Sequence, residues 1–276
     1  MELMYKYKHK YRLTKKELAK KLGISVSSLY YKRKRDIIDS EVKNHIEAVL
    51  AENPAYGHKR LALALKLNRK RILRVMKKYN IKPYRRRLKR LIKKKDLNKP
   101  KSKYQNLLNT ILITRPNQVW ATDFTYIRYK DKFIYLATII DLYTREVVGI
   151  NISRFHNKEL VLGALEDALT TYGRPEIIHS DQGSEYDSEA YTNFVQTLGI
   201  KISMSEKASP WENGYQESFF SHFKLELGDS NRFDELGELL ETIYQIIWYH
   251  NNRRLHSTLK TTPIKYRESY YSKLGT

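Results

Sequence analysis

The sequence has no cysteine anywhere in its 276 residues. A disulfide framework and any thiolate zinc site are therefore excluded. It also lacks long apolar runs, and no stretch approaches the ~18 apolar residues that read as a membrane span. Its opening, MELMYKYKHKYR, is charged where a secretory leader needs an apolar stretch, so a cytoplasmic chain with no membrane partner is expected. Acid is scarce in the front of the chain: residues 1–115 hold 35 Lys and Arg against 8 Asp and Glu, whereas residues 116–276 hold 17 against 22. The formal net charge of +22 is thus carried by a basic arm in front of a mildly acidic globule. Basic surface of this kind can serve solubility alone, but at this density it points to a polyanion such as DNA.

Residues 14–35, TKKELAKKLGISVSSLYYKRKR, read as a helix, a glycine break and a second helix. Thr14 and Ser25 are suited to cap the two helices, and Leu18, Leu22, Val26 and Leu29 form the expected buried stripe. Gly23 permits the positive φ of a tight turn, which gives helix-turn-helix spacing. In such a motif the second helix enters the major groove, so Ser27, Ser28, Tyr31 and Lys32 are candidate DNA contacts. A second helical unit follows, with apolar spacing through Val42, Ile46, Ile72, Val75 and Met76. Its remaining surface is basic, and Arg71 and Arg74 are expected to extend the DNA footprint. Residues 82–103 are almost continuous positive charge with little to form a core, so Arg85 and Arg86 are expected to contact phosphate from a linker.

Beyond Pro116 the texture changes. Strands are predicted at 119–129, 132–142 and 146–152, joined by short turns as an antiparallel meander. A helix at 158–172, a strand at 177–179, a helix at 188–198 and a strand at 200–204 follow, and then another helix. The order β-β-β-α-β-α-β-α is that of the α/β ribonuclease-H-like fold, in which the first and fourth strands are neighbours. The expected boundaries are 1–38 for the helix-turn-helix, 39–81 for the second helical unit, 82–112 for the basic linker, 113–230 for the catalytic core and 231–276 for a C-terminal helix and Arg/His-rich tail.

The fold reading gives meaning to three acids. Asp123 lies mid-strand among apolar residues, Asp181 follows a buried strand, and Glu217 lies on a helix with 35 residues between it and Asp181. A buried carboxylate needs a partner, and three converging carboxylates can hold two divalent metals for phosphodiester chemistry. At about 100° per residue, Lys224 shares a face with Glu217 and is expected to touch a phosphate beside the metals, while Phe219, Phe220, Phe223 and Leu227 face the sheet. Arg253, Arg254 and His256 follow a helix at 233–248 and are read as DNA contacts in preference to packing against the core's own acids. Trp248 and Tyr249 are read as core, and His179 and Gln182 as candidates to support Asp181.

The stretches WATDFTYI, HSDQGSEY and ENGYQESFFSHFKLE resemble the integrase-type DDE core of bacterial insertion-sequence transposases, specifically the second-frame protein of the IS-three family. The likeness extends to LGISVSSLYYKRKR, NPAYGHKRL and YHNNRRLHSTLKTTPIKYR, and so spans most of the chain. It implies an Mg²⁺-dependent polynucleotidyl transferase using two ions, with Mn²⁺ as a substitute. It further implies double-stranded DNA partners at the element ends and target, a homo-oligomer on DNA, a fusion to or partnership with an upstream-frame protein, and work at the bacterial nucleoid. A retroviral-type integrase would need a zinc-binding front domain, which the missing cysteines exclude; a DNA-binding regulator without strand transfer is the remaining alternative.

Overall fold

A computed structural model of the chain describes residues 14–29, 34–84, 103–205 and 213–275. Helix α1 (Lys15–Lys21) begins as expected: Thr14 accepts from the Glu17 backbone N–H while the Glu17 carboxylate accepts from Thr14, a reciprocal cap. Gly23 takes φ +65° in the turn that follows. Where the second helix was expected, the described residues Val26–Leu29 form a 3-10 turn capped by Ser25, and residues 30–33 lie outside the described residues. The expected apolar stripe is also only partly buried, with Leu18 covered but Leu22 46% and Val26 41% exposed. The boundary expected at 38/39 falls inside one continuous helix, α2 (Lys34–Glu52).

Helices α2, α3 (His58–Ala64) and α4 (Arg69–Lys78) enclose a small core of Val42, Ile46, Tyr56, Leu61, Ile72, Val75 and Met76. Their polar seam is an ion-pair cluster. Arg74 clasps Asp39 with both guanidinium ends, and Lys78 bridges to Asp36 at 2.6 Å and to Asp39 at 3.3 Å. Asp39 is 1% exposed, so Arg74 compensates a buried charge.

The globule is a three-layer α/β/α sandwich. Strands β1 (Val119–Tyr129), β2 (Lys132–Asp141) and β3 (Val147–Ser153) form the antiparallel meander, and β4 (Ile177–Ser180) and β5 (Lys201–Met204) add in parallel, giving the order β3-β2-β1-β4-β5. Helices α5 (Lys158–Tyr172) and α6 (Glu189–Thr197) cover one face, packing on Trp120, Ile139, Val148 and Ile178. Helices α7 (Gly214–Leu227) and α8 (Leu236–Asn252) cover the other, packing on Ile127, Leu136, Ile140 and Val147. A last helix, α9 (Pro263–Lys273), closes the chain. Close approach of α5 to β3 requires Gly149, since a Cβ there would lie 2.4 Å from the Ala164 carbonyl oxygen.

Helix α5 starts at Asn157, whose side chain accepts from Leu160 N–H at 3.3 Å. Replacing this cap with alanine is expected to cost about 1 kcal/mol. Thermal melting of Asn157→Ala should therefore fall by roughly 2–4 °C, and an unchanged melting temperature would show that the cap contributes nothing.

Candidate active site

The parallel pairing of β1 with β4 runs Val119 with Ile177, Trp120 with Ile178 and Ala121 with His179. Asp123 and Asp181 each stand two residues past that last rung, so sheet topology brings together two acids that are 58 positions apart in the sequence. The side chains differ in cover, Asp123 being half-buried and Asp181 standing at the exposed rim. Burial, then the charge of Asp181, then that of Glu217 push the Asp123 carboxyl up to about 7, against a hydrogen bond from Phe124 N–H and the positive charge of Lys224. Burial also raises Asp181, opposed by Gly183 N–H, which donates to its Oδ1 at 3.0 Å. Gly183 serves close approach here, because a Cβ would stand 3.1 Å from that oxygen.

Asp141 shows why this arrangement is unusual. It too is an acid on the sheet, the last residue of β2 and 1% exposed, but the backbone amides of Asn117, Tyr143 and Thr144 donate to it. Its burial is structurally compensated. Among the described residues, Asp123 has only the amide of its own neighbour and faces two further carboxylates. Two hard oxygen donors, one of which raises the proton affinity of the other, form a donor set that fits a divalent cation. Among the described residues, no three His, Cys, Asp or Glu side chains are grouped closely enough to enclose an ion together. Glu217 is exposed on α7, in electrostatic contact with Asp123, and its carboxyl is raised by burial.

Helix α7 is held by a residue the sequence reading passed over. Gln216 is fully buried; its Nε2 donates to Ala121 O at 2.7 Å and to Thr138 O at 3.1 Å, and its Oε1 accepts from the Thr138 hydroxyl. One side chain thus ties the first turn of α7 to both β1 and β2, immediately before Glu217. A glutamine beside helical acids looks like surface in a sequence, and only the crossing of α7 over the sheet reveals its task. Two turns on, the Lys224 ammonium lies 4.9 Å from the Tyr126 ring centroid, and its charge lowers Asp123.

His179 is fully buried with Nδ1 2.8 Å from the Ser203 hydroxyl, and burial holds it down at about 4, so it is a neutral core residue. Gln182 donates to Ser205 O at 3.1 Å and fixes the chain after Asp181.

The candidate DNA contacts divide. Ser27 and Ser28 are exposed, with their hydroxyls hydrogen-bonded to that of Ser25. Arg71 and Arg253 are exposed. Tyr31, Lys32, Arg85 and Arg86 lie outside the described residues. Two expectations need correction: Arg74 is occupied by Asp39, and Arg254 is 4% exposed with its Nε 3.2 Å from Glu226. Each meets an acid distant in sequence, so each is an internal counter-charge. His256 is half-buried and held at about 4, first by burial and then by Arg145. Trp248, expected in the core, is 55% exposed, while Tyr249 binds Asn53 through its hydroxyl.

Residues 113–210 and 198–263 each match an integrase core domain family. The chain is 30% identical, across 92% of its length and 94% of the relative's, to the InsK protein of insertion sequence element IS150 from Escherichia coli K12. It is 34% identical, across 84% of its length and 89% of the relative's, to the 31 kDa protein of insertion element IS600 from Shigella sonnei. Among solved structures, a simian T-cell lymphotropic virus intasome in complex with PP2A regulatory subunit B56 gamma shares the fold, with a TM-score of 0.51 at 18% identity, over 80% of this chain and 73% of that one.

Proposed function

We propose, for a chain that belongs to the IS-three family of insertion-sequence transposases with an integrase-type core, that Asp123, Asp181 and Glu217 are the carboxylates of its strand-cutting and strand-joining site. The protein is a DDE-type polynucleotidyl transferase acting on DNA. The observation that carries the residue assignment is the pairing of β1 with β4, which puts Asp123, in mid-strand, beside Asp181 just past the end of β4, with Asp123 raised to about 7 and, among the described residues, lacking the set of backbone donors that satisfies Asp141.

The three carboxylates would hold two Mg²⁺ ions, or Mn²⁺ in their place, and such ions supply charge neutralisation at the attacking and leaving oxygens of an in-line displacement. Water attack on phosphorus breaks the bond to the 3′ oxygen at the element end, and the released 3′-OH then attacks a target phosphodiester, forming a new P–O bond as the target's own 3′ oxygen leaves and takes up a proton. Lys224, beside Asp123, is suited to hold the neighbouring phosphate. Gln216 orients the helix that delivers Glu217. Arg71 and Arg253, together with Ser27, Ser28, Tyr31, Lys32, Arg85, Arg86 and His256, are the remaining candidates for gripping the duplex. A homo-oligomer on DNA, partnership with an upstream-frame protein and action in the bacterial cytoplasm belong to the same proposal. Among the described residues, no helix is long and apolar enough to cross a membrane.

End-labelled element DNA tests the reading. Incubation with Mg²⁺ should release a 3′-OH at the element boundary, and chelation with EDTA should stop the release completely. Cleavage that persists in EDTA, or in Asp181→Asn with Mg²⁺, would remove the proposed site. Binding without any cleavage would favour a regulator.

A further inference from the structure

Behind the catalytic face, α7 borders a cavity of about 460 Å³, within the size of small-ligand sites. Its wall is basic, with Arg60 from α3, Arg145 from the β2–β3 turn, His222 from α7, His250 from α8, and Arg254 and His256 beyond it. The elements that meet here are the small helical unit, the sheet and the C-terminal segment. By helical geometry the cavity residues Tyr215, Ser218 and His222 are turned more than about 100° from Glu217, so α7 presents one face to each site.

Among the described residues, several buried nitrogens at this wall make no hydrogen bond: Nη1 of Arg145, Nη2 of Arg254 and Nδ1 of His256, while Nε of Arg254 is ion-paired with Glu226. Arg254 is 4% exposed, and Glu226, the acid beside it, also faces Arg60. The N-terminus of α7 enters the same wall through Gly214 and Tyr215, and Asn213 gives it no side-chain cap. Buried cationic groups are costly unless matched by negative charge. Here Arg60 and Arg254 share one acid, Arg145 lines the same wall, and the amides of a helix start stand beside them. The strain reaches the histidines: burial first, then Arg254 and Arg60, hold His222 down to about 3.

We propose that this cavity is a binding site for a phosphate group, taken from the backbone of bound DNA or supplied as a free anion. A phosphate would neutralise the excess positive charge, pair with Arg145, and accept from the α7 amides that Asn213 leaves uncapped. The DNA source rests on the transposase reading; the free-anion source does not. Arg254 is too deeply engaged with Glu226 to serve as the variant, so the test uses Arg145→Gln with His256→Gln, both half-buried, in the full chain with native circular dichroism.

Duplex affinity is measured across a salt series, and melting is followed with inorganic phosphate against chloride at matched ionic strength. If a backbone phosphate occupies the site, wild type binds the duplex and the double variant's log-log salt slope is shallower by about 0.9, one contact's worth. If a free anion occupies it, phosphate raises the melting temperature of wild type and not of the variant, while the slope is unchanged. Equal slopes together with no phosphate-specific shift overturn the proposal. Because wild-type duplex binding is read in the same series, that result leaves the transposase reading standing, whereas absent duplex binding in wild type would strike at the latter alone.

Discussion

Asp123→Asn is expected to lose element-end cleavage by about a thousandfold or more while folding at least as well as the unaltered chain. The loss follows from taking one anionic oxygen out of a site whose charge stabilisation is worth several kcal/mol, roughly tenfold per 1.4 kcal/mol. The stability half of the prediction follows from the sign of the Asp123 shift. Its folded pKa is raised from 3.8 to about 7, chiefly by burial and by Asp181, so between those values the folded state holds a proton that the unfolded chain has released. Stability therefore falls as pH climbs from about 4 to 7, and the cost persists above 7. Asparagine removes this cost. After allowance for the solvent that reaches a half-buried group, the gain at pH 8 is about 2 kcal/mol, or roughly 4–8 °C in melting temperature. Metal-free melting of both proteins from pH 4 to 8 checks it: the curves should meet near pH 4 and separate as pH rises. A variant that melts lower than wild type at pH 8 would show that Asp123 is held by structural partners, as Asp141 is.

Gln216→Leu should damage both fold and activity. Leucine leaves the Thr138 hydroxyl without its acceptor and two strand carbonyls without the amide that now reaches them at 2.7 and 3.1 Å. At about 1–3 kcal/mol for each of the three unsatisfied buried groups, the total is roughly 3–9 kcal/mol, and melting should fall by about 10 °C or more. Glu217 is the next residue on the helix, and displacement on the scale of 1 Å can cost about a hundredfold in rate. Cleavage measured well below the melting temperature should fall by that factor while duplex affinity stays within about twofold, since phosphate contacts dominate affinity. Loss of affinity in step with loss of cleavage would indicate general unfolding.

The sheet was legible because its strands carry their signals locally. Residues 119–129 were read as a strand with the bounds that β1 takes, and the order of elements placed Asp123 beside Asp181 before any distance was available. The helical front was less legible. Residues 34–39 mix Lys, Arg and Asp in a way that resembles the frayed end of a preceding helix, yet they open the long α2, where Asp36 and Asp39 gain Lys78 and Arg74 as partners from α4. Arg74 and Arg254 were misread for one reason. A cation is visible in a sequence, but the acid that neutralises it is brought by the fold. Gln216 was missed because its three hydrogen bonds exist only once α7 crosses β1 and β2.

Leu255 joins the two halves of the molecule. Its amide donates to the Tyr56 hydroxyl at 2.8 Å, its carbonyl accepts from Arg60 at 2.9 Å, and its side chain packs on the core of the small helical unit. The arm that would grip DNA and the globule that would cut it therefore share a seam, so they are not beads on a string. Force applied to one is carried to the other through a hydrogen-bonded coupling rather than through the basic linker alone. A shift of the helical unit would therefore be met at the C-terminal end of α8, where Leu255 holds Tyr56 and Arg60.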